Sequence, residues 1–274
     1  MHSRNISRLA VGVVLYGNSA EELKRLTTSL DVASDYGSKF SLHWFDNTNK
    51  PEYARMLAAQ GIGPVRSTGK NLGFGTAHNR LMEEVFAKTD CDAYVCLNPD
   101  AIVHPAMFDE MLAQANRMHR PGLVEARQFP SEHPKPYDMV TYATPWCSGC
   151  SLLITRQCFE VTGGFDENLF LYCEDVDLSW RARHFGFDIA IAPQALVQHF
   201  TETRPPGGNV AREMLRAGAY LAAKWGNDDF KAICEREFKN FTGKKLPKQR
   251  FTPMRDVKRI ADFSHLFHFA KARW

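Results

Sequence analysis

Four apolar runs, each followed by a helical pattern, restrict what this chain can fold into more than any other feature. Residues 9–16 are apolar without a break, as expected of a strand covered on both faces. Ser19-Ala20-Glu21-Glu22 is a capping box, so a helix starts there and runs to about residue 33. Residues 40–45 read as a second strand, and Pro51 opens a helix at a first-turn position that tolerates proline. Residues 64–66 make a short third strand. Small and apolar residues recur at helical spacing over 76–88, residues 92–97 form the fourth strand, and Pro105 opens a helix to about residue 119. Such alternation builds a parallel sheet with helices on both faces.

Beyond Pro121 the pattern changes. Residues 123–129, 139–142 and 151–155 read as strands joined by longer, Pro-rich connections, which implies a mixed sheet that is still mostly parallel. Residues 174–185 form a helix ended by Gly186, and 188–197 are the last strand region. Arg204-Pro205-Pro206-Gly207-Gly208 is the clearest break in the chain. Helical patterns follow at 209–225, 228–240 and 254–273. The expected fold is α/β, a Rossmann-type sheet over residues 1–207 with a helical, basic extension over 208–274.

At 274 residues, with 44% hydrophobic and 24% charged side chains, the chain is long enough for one large core and carries no disorder signature. No apolar stretch reaches the roughly 18 residues that a membrane-spanning helix needs. The first eight residues are polar and lack a signal core, so the protein reads as cytoplasmic. Seven scattered cysteines do not make a disulfide framework. Cys147-Ser148-Gly149-Cys150 is a lone CxxC leading into a strand, which argues against both a zinc site and a thioredoxin-like redox motif. Nothing points to nucleic acid. The net charge of +3 hides an asymmetry: ten Lys or Arg and two Asp fall within residues 239–274, a balance of +8 that leaves −5 on the rest.

Candidate chemistry gathers at strand ends, where ligands collect in α/β sheets. Asn98-Pro99-Asp100 places a carboxylate after the strand Tyr94-Val95-Cys96-Leu97. Glu174 and Asp175 stand at a helix start, and His199 ends the last strand region. Together they suit a divalent cation (Mg²⁺ or Mn²⁺), a phosphate-bearing substrate and a base. Each residue also has a plainer reading: Asn-Pro-Asp is ordinary turn chemistry, acids cap helices, and a lone histidine packs in many cores. Asp177 reads best as the helix partner of Arg181, four residues on. Trp146 suits either stacking on a sugar or burial in the core. The spacing around Lys70, Asn71, Gly73 and Gly75 fits neither GxxxxGK[ST] nor GxGxxG, which disfavours an NTPase or dehydrogenase.

The order Val13-Val14-Leu15-Tyr16, Phe45-Asp46-Asn47-Thr48, Asn71-Leu72-Gly73-Phe74-Gly75 through Asn79, Asn98-Pro99-Asp100, Gly163-Gly164-Phe165-Asp166-Glu167 through Glu174-Asp175, and Val197-Gln198-His199 resembles family 2 glycosyltransferases. More narrowly it resembles their bacterial rhamnosyltransferase-like members. The resemblance covers residues 9–200 and implies a GT-A fold, with residues 1–100 as nucleotide-binding half and 101–207 as acceptor-binding half. It implies an inverting sugar transfer, of L-rhamnose from dTDP-rhamnose, onto a bacterial surface-glycan or lipid-linked acceptor. A UDP-hexose or UDP-N-acetylhexosamine donor is the alternative, and a non-catalytic nucleotide- or sugar-binding module a more distant one.

Residue by residue, the resemblance implies Asp175 as catalytic base, with Glu174, Gly149 and Trp146 on the acceptor side. Tyr16, Asp46, Asn47, Lys70, Asn71, Gly73, Asn79, Asn98 and Asp100 would meet the nucleotide sugar, and Asp100 and His199 the metal. Gly73 and Gly75 would let backbone approach the ligand. Two departures stand out: neutral Asn98 replaces an acid in the DxD-type motif, and Gly17 disturbs the pattern after Tyr16. In the tail, Val257, Ile260, Phe263, Phe267, Ala270 and Trp274 form an apolar helix stripe among basic residues. That stripe suits either an anionic membrane surface, reached peripherally, or packing on the protein.

Overall fold

Strand β1 (Leu9–Leu15) is buried along its whole length because it lies between two parallel neighbours, β2 (Phe40–Asp46) and β4 (Ala93–Leu97). The structure, a computed structural model, describes residues 5–200, 208–254 and 260–263. Short β3 (Val65–Arg66) extends the sheet beyond β2, also in parallel. Four further strands complete it: β5 (Ala101–Val103), β6 (Pro121–Phe129), β7 (Ser151–Thr155) and β8 (Asp188–His199). Their order is β3-β2-β1-β4-β7-β6-β8-β5. β7 is antiparallel to β4 and β6, and β5 to β8; the other six strands share one direction. The expected mixed, mostly parallel sheet is present.

Alternation along each strand divides the core between two faces. Leu9, Val11, Val13 and Leu97 pack with Leu23, Leu26, Leu57, Phe108 and Met111. Those partners come from α1 (Ala20–Tyr36), α2 (Pro51–Ala59) and α4 (Met107–Arg117). On the other face Ala10, Val14, Tyr94 and Cys96 meet α3 (Phe74–Lys88), α5 (Arg156–Thr162) and α6 (Glu174–His184). α1 starts at the expected box: Glu22 N–H donates to Ser19 Oγ at 3.2 Å, and Ser19 N–H to Glu22 Oε2 at 2.8 Å. All seven cysteines are free and buried.

A further layer lies outside α6. Helices α7 (Gly208–Lys224) and α8 (Asp228–Thr242) bring Tyr220, Leu221, Trp225 and Phe230 against Trp146, Val176 and Trp180. Of the expected helix at 254–273, residues 255–259 and 264–274 lie outside the described residues, as does the break at 204–207. Two stripe residues are described. Phe263 is buried with its ring 5.0 Å from Trp180 and 5.5 Å from Phe230, and Ile260 O accepts from Arg183 Nη1 at 2.9 Å.

The expected strand at 139–142 is a turn instead. Asp138 Oδ1 accepts from Val140 N–H (2.9 Å), Thr141 N–H (2.6 Å) and Thr141 Oγ (2.8 Å), and Tyr142 has φ +60°. An aspartate that satisfies three local donors outweighs the β-propensity of Met139-Val140-Thr141-Tyr142. Only Ala143 bridges the sheet, at Ala190. β5 and α5 were not expected; three and seven residues are too short to show a period.

Candidate active site

Strand register brings distant residues to one edge. Leu15 of β1 lies opposite Asp46, Leu97 of β4 opposite Ser151, and Ala101 of β5 opposite His199. Tyr16, Asp46, Asn98, Asp100, Gly149 and His199 therefore share the edge where β1, β2, β4 and β8 end, the place where an open α/β sheet binds ligands.

Asp100 is 3% exposed, in the turn between β4 and β5. Its Oδ1 lies 3.4 Å from His199 Nε2, and Asn98 Nδ2 lies 3.2 Å from the same nitrogen. A chain of hydrogen bonds fixes the ring. A carboxylate only accepts, so Glu125 Oε1 selects the amino end of Gln128, at 3.4 Å. That leaves Gln128 Oε1 to accept from His199 Nδ1–H at 3.1 Å and turns Nε2 toward Asp100. Burial opposes a charge on this imidazole, but Cys150 and Asp100 outweigh it and push its pKa up to about 10, so a cation would bind Nε2 only by replacing its proton. No group of three His, Cys, Asp or Glu among the described residues could hold a metal ion. The hard oxygen and borderline nitrogen of Asp100 and His199 fit a Mg²⁺ or Mn²⁺ ion that takes its other ligands from phosphate oxygens.

The base side rests on three successive N–H groups. Cys147 N–H donates to Ser179 Oγ (2.9 Å), Ser148 N–H to Glu125 Oε2 (2.8 Å), and Gly149 N–H to Asp175 Oδ2 (2.9 Å). Val176 N–H donates to the other oxygen, Asp175 Oδ1, at 2.8 Å. A Cβ on Gly149 would stand 3.2 Å from the Phe74 ring and 3.6 Å from Asp175 Cβ, so glycine gives the turn its close fit. Glu174 Oε2 is buried with no hydrogen-bond partner among the described residues. Burial first, and the charge of Asp175 second, push the Glu174 carboxyl well above the usual range. Burial also raises Asp175, against the pull of the Gly149 and Val176 N–H groups. Two N–H donors favour the charge on Asp175 and none reaches Glu174 Oε2, so a proton held by the pair favours Glu174.

On the nucleotide side, Tyr16 is 66% exposed at the end of β1, and Lys70 is exposed. Asp46 is buried and accepts from Thr48 N–H at 2.6 Å, while Asn71 Oδ1 accepts from Gly73 N–H at 2.8 Å. Five of the expected residues, Asn47, Asn79, Gly73, Gly75 and Trp146, make close contacts within the protein. Asn47 uses both amide ends on backbone, donating to Gly73 O (2.9 Å) and accepting from Leu72 N–H (3.0 Å). Asn79 does the same with Phe165, donating to its O (2.9 Å) and accepting from its N–H (2.8 Å). Both amides shape loops through these backbone bonds.

Gly73 and Gly75 admit protein where a ligand was expected. At Gly73, with φ +80°, a Cβ would fall 2.1 Å from Phe170 O; at Gly75 it would fall 2.7 Å from Phe165 Cβ. Trp146 is 1% exposed, with Lys135 Nζ 3.9 Å over its ring and His133 edge-on at 4.9 Å. It is a core residue and offers no open stacking platform. Sequence reasoning also passed over Glu125, Gln128 and Lys135. The signal was present: a glutamate inside the otherwise apolar Leu123-Val124-Glu125-Ala126 needs a buried partner.

Residues 139–218 match the family described as "Glycosyltransferase like family 2". An N-acetylglucosaminyl-diphospho-decaprenol L-rhamnosyltransferase of Mycobacterium tuberculosis is 29% identical over 264 residues, covering 78% of this chain and 84% of the relative. The rhamnosyltransferase WbbL of Escherichia coli is 34% identical over 55 residues, 20% of this chain and 21% of its own. Among solved structures, the Pyrobaculum calidifontis mannosyltransferase PcManGT, in complex with GDP-Man and Mn²⁺, superposes with a TM-score of 0.61 at 15% identity, over 84% of this chain and 69% of that one. GalNAc-T7 with UDP, GalNAc and Mn²⁺ gives 0.62 at 13%, over 90% and 53%. In sequence and in fold alike, the chain is a glycosyltransferase built on a GT-A fold, similar to family 2 over residues 139–218 and along most of its length to a bacterial rhamnosyltransferase.

Proposed function

We propose that the protein is an inverting transferase that moves L-rhamnose from dTDP-rhamnose to a lipid-linked saccharide. The observation that carries this reading is the joining of two pairs, Asp100 with His199 and Glu174 with Asp175, across the Asn98–Cys150 backbone hydrogen bond of 2.8 Å. The sugar and the acceptor class follow the relative named as an N-acetylglucosaminyl-diphospho-decaprenol L-rhamnosyltransferase, and the dTDP carrier follows the resemblance to rhamnosyltransferases.

In this reading Asp46 accepts the N3–H of the pyrimidine and the exposed Tyr16 ring stacks on the base. Lys70 pairs with phosphate, with Asn71 and Gly73 shaping the loop beside it. Asp100 and His199 would hold a Mg²⁺ or Mn²⁺ ion, which when bound stabilises negative charge on the departing diphosphate. Neutral Asn98 adds no charge there, so the affinity for the free ion is modest. Asp175, oriented by two N–H donors, takes the proton of the acceptor hydroxyl as it attacks the anomeric carbon opposite the diphosphate. The proton ends on Asp175, and the configuration inverts.

No helix among the described residues is long and apolar enough to cross a membrane. Lys244, Lys245, Lys248 and Arg250 are exposed, which suits a cytoplasmic enzyme resting peripherally on an anionic inner leaflet.

The test is transfer of labelled sugar to polyprenyl-diphosphate-linked N-acetylglucosamine with Mn²⁺ or Mg²⁺. The expected result is label in the lipid from dTDP-rhamnose alone. Label from UDP-hexose or UDP-N-acetylhexosamine alone would reassign the donor. Absence of both transfer and slow donor hydrolysis would overturn the reading.

A further inference from the structure

Glu125 belongs to neither pair of acids at the strand edge, yet it touches the supports of both. It lies mid-strand on β6, in register with Leu152 on one side and Ile191 on the other, and is 4% exposed. Its partner is the ammonium of Lys135, whose side chain is 1% exposed and reaches in from the Pro-rich segment after β6. Glu125 Oε2 also takes the Ser148 N–H at 2.8 Å, and the next N–H along, that of Gly149, holds Asp175. Glu125 Oε1 takes Gln128 Nε2 at 3.4 Å, and Gln128 in turn sets His199. Residues three apart on a regular strand face opposite ways. A register shift between Ala126 and Arg127 accompanies the meeting of Glu125 and Gln128.

We infer that Glu125 is a positioning residue for both sides of the site, holding the turn that aims Asp175 and, through Gln128, the imidazole that faces Asp100. Lys135 makes this possible. A carboxylate at that depth without a counter-charge would take up a proton, and a carboxylic acid can offer only one good acceptor in place of two. The role rests on the function proposed above, since it presumes that Asp175 and His199 both act. A buried ion pair is weak evidence of a stability device, because apolar side chains of similar volume usually hold a core as well. Orientation of two separate groups gives the pair something that apolar side chains could not supply.

The experiment uses the full chain. Glu125→Leu alone leaves Lys135 buried and unpaired, so the informative variant is Glu125→Leu with Lys135→Met. Three quantities are measured: melting temperature, Mn²⁺ affinity with dTDP present, and kcat at saturating Mn²⁺. The double variant is expected to melt near the wild type, to bind Mn²⁺ about 10-fold more weakly, and to lose about 10-fold in kcat. Gln128→Met keeps the ion pair and should weaken Mn²⁺ alone by a similar factor, which tests the metal arm even if the double variant folds poorly. A folded double variant with unchanged affinity, or with unchanged kcat, overturns the two-sided role. A wild-type chain that binds no Mn²⁺ with dTDP overturns the functional reading, and this role with it.

Discussion

Lys224 Nζ lies 2.7 Å from Asp177 Oδ1, an ion pair with side-chain exposures of 6% and 0% that joins the C-terminal helices to the helix carrying Asp175. The same ammonium reaches Asp166 Oδ2 at 2.6 Å, in the loop before α6. Asp177 also accepts from Arg181 Nε (2.7 Å) and Trp225 Nε1 (2.9 Å). The helix partner expected for Asp177 is present, but it is one of three.

Lys224→Met should therefore destabilise the whole chain. Arg181 still faces Asp177 in the variant, so the loss is expected at about 3 kcal/mol, the lower end for breaking a buried pair. Lys224→Arg keeps the charge and should recover part of it. Urea unfolding of the three proteins measures both.

Acid should weaken the same joint. Burial opposes the charge on Asp166, but Lys224, helped by Asn168 N–H and Tyr220 O–H, outweighs it and holds the pKa at about 2. An unfolded aspartate titrates near 3.9. A carboxyl lowered on folding adds stability above its unfolded pKa and loses it as pH falls through the folded one. The stability gap between wild type and Asp166→Asn should be constant above about pH 5 and should close between about pH 4 and pH 2. Unfolding at a series of pH values shows it; a gap that widens toward low pH would contradict the assignment.

Asp100→Ala should abolish most Mn²⁺-dependent binding of nucleoside diphosphate, since Asp100 is the acid of its turn. Asn98→Asp should tighten binding, because Asn98 Nδ2 already stands 3.2 Å from His199 Nε2 and an added carboxylate would serve the same cation. Calorimetric titration with Mn²⁺ reads the two in one series. Undiminished binding by Asp100→Ala would remove that residue from the site.

Asp175→Asn keeps the outline of the side chain and loses the proton acceptor. Donor affinity should be unchanged while turnover falls by about 10²–10⁴-fold, the usual worth of a general base. Equilibrium binding of dTDP beside steady-state rates separates the two effects. Turnover close to wild type would pass the role to Glu174.

The sheet was legible wherever burial on both faces left the sequence no polar position, as in Leu9–Leu15 and Ala93–Leu97. Ser19 and Glu22 marked their helix because capping is a local bargain between residues three apart. The backbone partners of Asn47 and Asn79 were not legible, because an asparagine serves backbone or ligand with the same atoms and only the fold brings Leu72, Gly73 and Phe165 within reach. Trp146 was left open between two readings, and the ammonium of Lys135 settles it. Glu125 escaped because its partners Gln128, Lys135 and Ser148 meet it only through the sheet register and the path of the following loop.

The turn at 147–149 bears on where this chain can change length. Three consecutive N–H groups answer to Ser179, Glu125 and Asp175, on two different elements. One residue gained or lost within that stretch would carry every donor past its acceptor at once, so insertions and deletions there should be lethal to the fold. The Asp138 turn is built the other way: its acceptor and its donors lie within three residues, and its tip, Met139 and Val140, is 74% and 84% exposed. Length variation among sequences of this type should therefore gather at that tip and be missing from the stretch that begins eight residues further on.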